Sequence, residues 1–378
     1  MKKAVIGILM LLLLTGCWDR MPLRDLHMVD VVGLDLDEKS GDVVLDFVVT
    51  LLKKAIQGQG EPITETTELK GPSLVEAVGQ GAYVDKGPFL AINTRNYLMS
   101  ERFASHDPIP KLAFLLRAPY TSINTPVVVF DGSVSKLLKN ISGSKKTFTE
   151  KLNDFILSLD RNGIMPTVSM MHFILSREEP LEDIALPLVK QSDSGIEFGG
   201  ALLFRQGKNT EAKLGKEQVR MLMLLLGNEK GGQKFIGKLL GSNVGKQPLT
   251  GHSNGIKYGF SVKKNSSKII VHPESSGLPK VYIGVRLKIN VFDIGQEVHT
   301  LKPDYVNRME KELSKHLEVV SVATIKTLQK ANCDVLGIGK ELKAYHPNIW
   351  KSMDWRKDYP RLSIKPHFDV QILNSDAE

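Results

Sequence analysis

The segment 304–331 constrains the fold more than any other part of the chain. Val306, Met309, Leu313, Leu317, Val320, Ile325 and Leu328 recur on a beat near 3.6 residues, with one slip around residue 322. That periodicity predicts one amphipathic helix. At 1.5 Å per residue its 28 positions reach about 42 Å, long enough to cover a whole sheet face. Asn332 follows as a left-handed cap. Strand-like runs flank the helix at 281–294 and 362–373. The C-terminal third therefore reads as an antiparallel-looking α+β unit.

The other end of the chain carries a different signal. Lys2 and Lys3 precede an uncharged apolar run, 4–14, which closes in Leu14-Thr15-Gly16-Cys17. Eleven apolar residues are too few to cross about 30 Å of hydrocarbon as a permanent helix and have the length of a signal-peptide core. An aliphatic residue, a small hydroxyl residue, glycine and cysteine form a lipobox pattern. The thiol of Cys17 would take a diacylglyceryl group, and the small Gly16 before it would admit the peptidase. Cleavage between Gly16 and Cys17 is expected, and Cys17 is the expected site of lipid attachment. Two acyl chains give stable anchoring where one gives only marginal binding. The mature protein is thus expected to sit on a membrane without spanning it.

Removal of the 16-residue signal leaves 362 of 378 residues, enough for two or three domains with real cores. The net charge of +8 falls to +6 without Lys2 and Lys3, and it is spread along the chain with no basic block interleaved with aromatics. Nucleic acid is accordingly not an expected partner. With Cys17 lipidated, Cys333 has no partner and reads as a small buried hydrophobe.

Runs rich in β-branched residues at 27–36 and 43–52, joined by Asp37-Glu38-Lys39-Ser40-Gly41-Asp42, predict a hairpin. An edge strand is expected at 64–70 and a helix from 74 to about 83 capped by Ser73. A strand is expected at 89–99, helices at 109–117, 133–140 and 148–159, and a buried strand at 126–130. A further strand is expected at 168–175. Beyond it, 196–205 reads as a strand, 217–226 as a helix and 227–251 as a loop with one short helix. Strands follow at 256–262 and 269–272. The expected division is a signal at 1–16, an N-terminal α+β domain at 17–190, a middle domain at 191–252 and a C-terminal α+β domain at 253–378.

No catalytic constellation emerges. No histidines fall at the i, i+4 spacing of a helical zinc site, and there is no Gly-x-Ser-x-Gly elbow. Gly241 to Gln247 is one residue short of a phosphate loop and lacks its hydroxyl residue. An enzyme is not expected, nor is any cofactor beyond the covalent lipid.

Four stretches, in order, carry a family likeness: Cys17-Trp18-Asp19-Arg20; Val32-Gly33-Leu34-Asp35; Gly199-Gly200-Ala201-Leu202-Leu203-Phe204; and Cys333-Asp334-Val335-Leu336-Gly337-Ile338-Gly339 with His346-Pro347-Asn348-Ile349-Trp350 and Trp355. The chain resembles the Ger(x)C family, the lipoprotein C subunits of nutrient germinant receptors in endospore formers. It departs from the family at 117–122, where the usual arginine–acid–arginine pattern is absent, and at 211–215. The resemblance implies an α+β fold of about three small domains with mainly antiparallel sheets. It further implies a non-enzymatic subunit on the outer face of the inner spore membrane, serving assembly or signal coupling beside two integral-membrane subunits, of A and B type. The rival reading is a lipid-anchored solute-binding protein of a transporter, which would show two lobes of alternating βαβ units. In isolation the ectodomain is expected to be monomeric. Within 334–355, Leu336, Ile338, Gly337 and Gly339 are expected to be structural, while Trp355 is the candidate for a half-exposed partner contact.

Overall fold

Asp37 makes the first hairpin. Its carboxylate accepts the backbone N–H groups of Lys39 and Ser40, each at 2.9 Å, and Gly41 takes a φ of 73° that closes the turn. Strands β1 (His27–Leu36) and β2 (Val43–Leu51) then pair antiparallel, as their β-branched runs predict. The computed structural model describes residues 27–51, 63–83, 89–118, 121–141, 145–193, 195–228, 232–239, 256–274, 277–293 and 303–375. The lipobox with Gly16 and Cys17 lies outside these described residues.

Strand β3 (Ile63–Gly71) adds to β2 and is the edge, as expected. Ser73 caps the helix Leu74–Gln80 by accepting the Glu76 N–H. Further strands are β4 (Phe89–Leu90), β5 (Asn96–Ser100), β6 (Val127–Phe130), β7 (Asp183–Ser192), β8 (Gly195–Arg205) and β9 (Lys208–Gly215). Their spatial order is β3-β2-β1-β5-β6-β7-β8-β9, with β4 beside β1. The pairs β1–β5, β5–β6 and β6–β7 are parallel, whereas the outer pairs are antiparallel. A parallel centre must be covered on both faces. Phe103, Ile109, Leu112 and Phe173 cover one face, and Val134, Leu138, Leu152 and Ile156 cover the other. Gly33 in β1 permits that second contact, because a Cβ there would lie 2.7 Å from Val134 Cγ1.

A second sheet has the order β10 (Lys234–Leu239), β11 (Ile256–His272), β12 (Lys280–Asp293) and β13 (Ser363–Ser375). The long helix forms at Pro303–Lys330 and buries Met309, Leu313, Leu317, Ile325 and Leu328 as predicted. At the slip, Ser321 and Thr324 occupy the buried stripe. Asn332 adopts the left-handed conformation of a cap, with φ 50°. The helix crosses from β12 to β13, and those strands are parallel, so the antiparallel reading of this unit holds for β10, β11 and β12 but not for β13. It also guards an edge. Glu318 accepts the Phe368 N–H at 3.1 Å and Glu310 the Ile372 N–H at 2.8 Å, which occupies donors that would otherwise invite another strand.

Other expectations change: the strand expected at 89–99 is broken by the turn Ala91–Asn93 into β4 and β5, and the loop expected at 227–251 contains β10. Residues 168–175 are not a strand: Ser169 caps a helix, Met170–Leu175, by accepting the His172 N–H. The 256–262 and 269–272 runs belong to one strand, β11. Among the described residues of 191–252, β8 and β9 extend the first sheet, while β10 joins the second. One apolar core bridges the two, running from Ala201, Leu203 and Leu222 through Val285 and Leu317 to Phe368.

Candidate functional site

The most distinctive sequence stretch, 333–339, forms a buried clasp between the two sheets. It follows the long helix and turns at Asn332, which brings Asp334 against the start of β7. The Asp183 side chain is fully buried, and its two oxygens accept Arg356 Nη2 at 2.9 Å and Nη1 at 2.7 Å. Asp183 also accepts the backbone N–H groups of Asp334 at 2.7 Å and Gln206 at 3.3 Å. A bidentate, charge-assisted pair with its remaining lone pairs satisfied is the geometry that makes a buried ion pair tolerable. Arg356 reaches further, donating to the carbonyls of Pro180 and Asn332.

Asp334 does a second task. Its carboxylate accepts the N–H groups of Ile338 at 3.0 Å and Gly339 at 2.7 Å and so closes the first turn of the helix Ile338–Tyr345. Burial pushes its pKa up to about 7, the two N–H groups pull it down, and the neighbouring Asp183 raises it. Gly337 carries a φ of 75°, and a Cβ on Gly339 would lie 2.7 Å from Trp355 Cε2. Both glycines are structural for the reasons expected: one for its backbone angle, the other for close packing. Leu336 and Ile338 are buried in the bridging core.

Trp355 departs from its expected role. It is only 6% exposed, over Gly339 and between Trp350 (ring centroids 5.7 Å apart) and Tyr359 (5.1 Å). The half-exposed anchor is therefore corrected to a core residue, while Trp350 is partly buried. Tyr359 in turn donates its hydroxyl to the Cys333 carbonyl at 3.2 Å. Cys333 is buried, and burial together with Asp183 and Asp334 pushes its thiol pKa well up, the reverse of what a nucleophile needs. Among the described residues, no group of three or more His, Cys, Asp or Glu side chains is placed to hold a metal ion. Sequence reading missed Asp183 and Arg356. Neither lies in a local pattern, and only the fold brings together residues 173 positions apart.

The other family-like stretches have structural accounts too. Asp35 accepts the Ser133 hydroxyl at 2.8 Å and ties the end of β1 to the helix Val134–Lys139. Gly200 in β8 adopts φ 141°, and a Cβ there would clash with the Leu214 carbonyl.

Comparison with known proteins places these features. Residues 19–191 match the family described as spore germination protein N-terminal domain, and residues 199–376 match spore germination B3/GerAC like, C-terminal. The chain belongs to the Ger(x)C family of spore germination proteins. It is 22% identical over 375 residues to spore germination protein GerQC of Bacillus cereus, covering 99% of each chain. It is 21% identical over 401 residues to spore germination protein KC of Bacillus subtilis (strain 168), covering 98% of this chain and 95% of that one. The crystal structure of the GerBC protein shares the fold at a TM-score of 0.59 and 17% identity, covering 91% of this chain and 97% of that one. The α+β architecture with mixed sheets is thus similar to that of the GerBC structure.

Proposed function

We propose that this chain is the lipoprotein C subunit of a spore nutrient germinant receptor. In this reading it is tethered through Cys17 to the outer face of the membrane and works beside two integral-membrane subunits. The observation that carries the reading is the family match along nearly the whole chain, 19–191 and 199–376, directly behind a lipobox. No helix among the described residues is long and apolar enough to cross a membrane, which suits attachment by lipid. The role is non-enzymatic: the distinctive residues of 333–356 are spent on joining two sheets, and Cys333 is held protonated. Assembly and signal coupling are the tasks we assign to it, and a shared apolar core with a buried Asp183–Arg356 pair joining its two sheets supports that reading.

Cys17→Ala tests the anchor. Radiolabelled palmitate should no longer be incorporated, the variant should leave the spore membrane fraction, and germination with nutrients should fall. Persistent labelling would overturn the tether. Co-purification of two polytopic proteins with the wild-type chain, lost in the variant, tests the partners. A strong thermal shift with one small nutrient would instead favour the solute-binding reading.

A further inference from the structure

The second sheet has two unlike faces. One packs under the long helix and the helix Lys216–Leu225, with Val281, Ile283, Val285, Leu287 and Ile289 buried. On the other face, no described element covers β11, β12 and β13, and alternate residues stand exposed. Five of these are cations: Lys264, Lys268, Arg286, Lys288 and Lys365. Elsewhere, several surface lysines lie against carboxylates, as in Lys70–Asp37, Lys139–Glu68 and Lys213–Glu101. On this face none of the five has an ion-pair partner among the described residues, and Asp369 is the one carboxylate beside them on the three strands' exposed positions. Lys264 stands directly across from Lys288 in the ladder. Like charges opposed in a sheet are destabilising, so the fold carries a cost here that an anionic surface would relieve.

The chemistry of the occupant follows from shape and composition. The face is broad, and a recess of about 1250 Å³ beside it adds Lys311 and Lys315 from the long helix. Glu310 and Glu318 in that recess are already engaged by the backbone of β13. Such a volume exceeds what one small ligand fills. Ile270 is 42% exposed and pairs in register with Tyr282, which places an apolar and an aromatic residue among the cations. Cations mixed with apolar and aromatic groups suit the headgroup region of a bilayer. We infer that the open face of the four-stranded sheet is a docking surface for anionic phospholipid headgroups, which lays the protein down on the membrane that holds its tether. The inference rests on the lipid-anchored reading for its setting, though the face itself does not depend on it.

The test uses the full lipidated chain, reconstituted into vesicles of phosphatidylcholine alone or with roughly one-third phosphatidylglycerol, a strongly anionic surface. An impermeant amine-acetylating reagent is added, and labelling is read lysine by lysine by mass spectrometry. On anionic vesicles Lys264, Lys268, Lys288 and Lys365 should label about five-fold more slowly than on neutral ones, the factor set by the attraction of one basic residue to such a surface. Lys39 in the β1–β2 turn should label equally on both, and high salt should abolish the difference. The double variant K264Q/K288Q should melt no lower than wild type, since it removes a like-charge pair, yet lose most of the protection at Lys268 and Lys365. Equal labelling on both vesicle types overturns the inference. So does protection that needs a co-purified protein rather than phosphatidylglycerol, which would assign the face to an acidic protein surface. A chain not retained on neutral vesicles refutes the tether alone, and flotation with anionic vesicles then still decides the face.

Discussion

Two buried carboxylate centres in this molecule are built in opposite ways. Within the first sheet, Asp46 on β2 is fully buried, and among the described residues its one side-chain partner is the Ser135 hydroxyl, with Oδ1 left unpaired. Burial pushes its pKa up to about 6. Between the two sheets, Asp183 is equally buried but holds a bidentate arginine and two backbone N–H groups. Inside one sheet the ladder and the apolar layers already fix the geometry, so an under-satisfied carboxylate is tolerated at a cost. At the joint between two sheets no ladder runs across, and the polar contacts there have to be complete to fix one orientation. The contrast makes the clasp, not the core of either sheet, the place where a single substitution should do most damage.

The sharpest way to break the contrast is Arg356→Ala. It leaves Asp183 buried and unpaired, and about 3–5 kcal/mol of stability should be lost, read from urea unfolding of the purified ectodomain. Ser135→Ala, the matching cut at Asp46, should cost only about 1–3 kcal/mol. Equal losses at the two centres would remove the distinction.

Trp355→Ala comes next, at about 3–5 kcal/mol for emptying an aromatic site in the core. Trp355→Phe should be much milder, because the indole N–H has no hydrogen-bond partner among the described residues to lose. A near-neutral Trp355→Ala melt would restore the exposed-contact reading.

A smaller effect is expected for Gly33→Ala. Its new methyl would have to displace Val134 and Leu138 from the face that carries Asp46. About 1–3 kcal/mol is the expected loss from overpacking, checked by thermal melting. A neutral result would show that the helix Val134–Lys139 shifts freely over β1.

The last prediction is a pH dependence. Asp334 titrates near 7 in the fold and near 4 when unfolded, so the folded state binds its proton more tightly. The penalty is absent below pH 4, grows as pH rises, and is complete above about 7. Asp46 does the same between about 4 and 6. The gap in melting temperature between wild type and Asp334→Asn should therefore narrow from pH 4.5 to 7.5. For Asp46→Asn the narrowing should be finished by about pH 6.5. A gap that stays constant with pH would mean that neither carboxylate carries the penalty.

Much of this molecule was legible in its local sequence. The hairpin at 27–51, the edge strand at 63–71, the long helix with its Asn332 cap, and the glycines at 337 and 339 all rest on turn chemistry and periodicity that act over a few residues. The misreadings have equally local causes. Val168 to Leu175 is a short apolar run in which the period cannot separate strand from helix, and the Ser169 cap decided it. Strand β7 was not expected at all, and it carries Pro187, a residue that argues against a central strand. It is accommodated because the pairing with β6 begins only at Leu188. What the sequence determined by itself is therefore much of the element list in the first and last described segments, and the family, since each depends on neighbours in the chain. Only the tertiary structure decided that 191–252 is shared between two sheets, that β13 runs parallel to β12, and that Asp183, Asp334 and Arg356 meet. Those outcomes depend on which distant surfaces become buried together, and burial is set by packing across the whole chain rather than by local pattern.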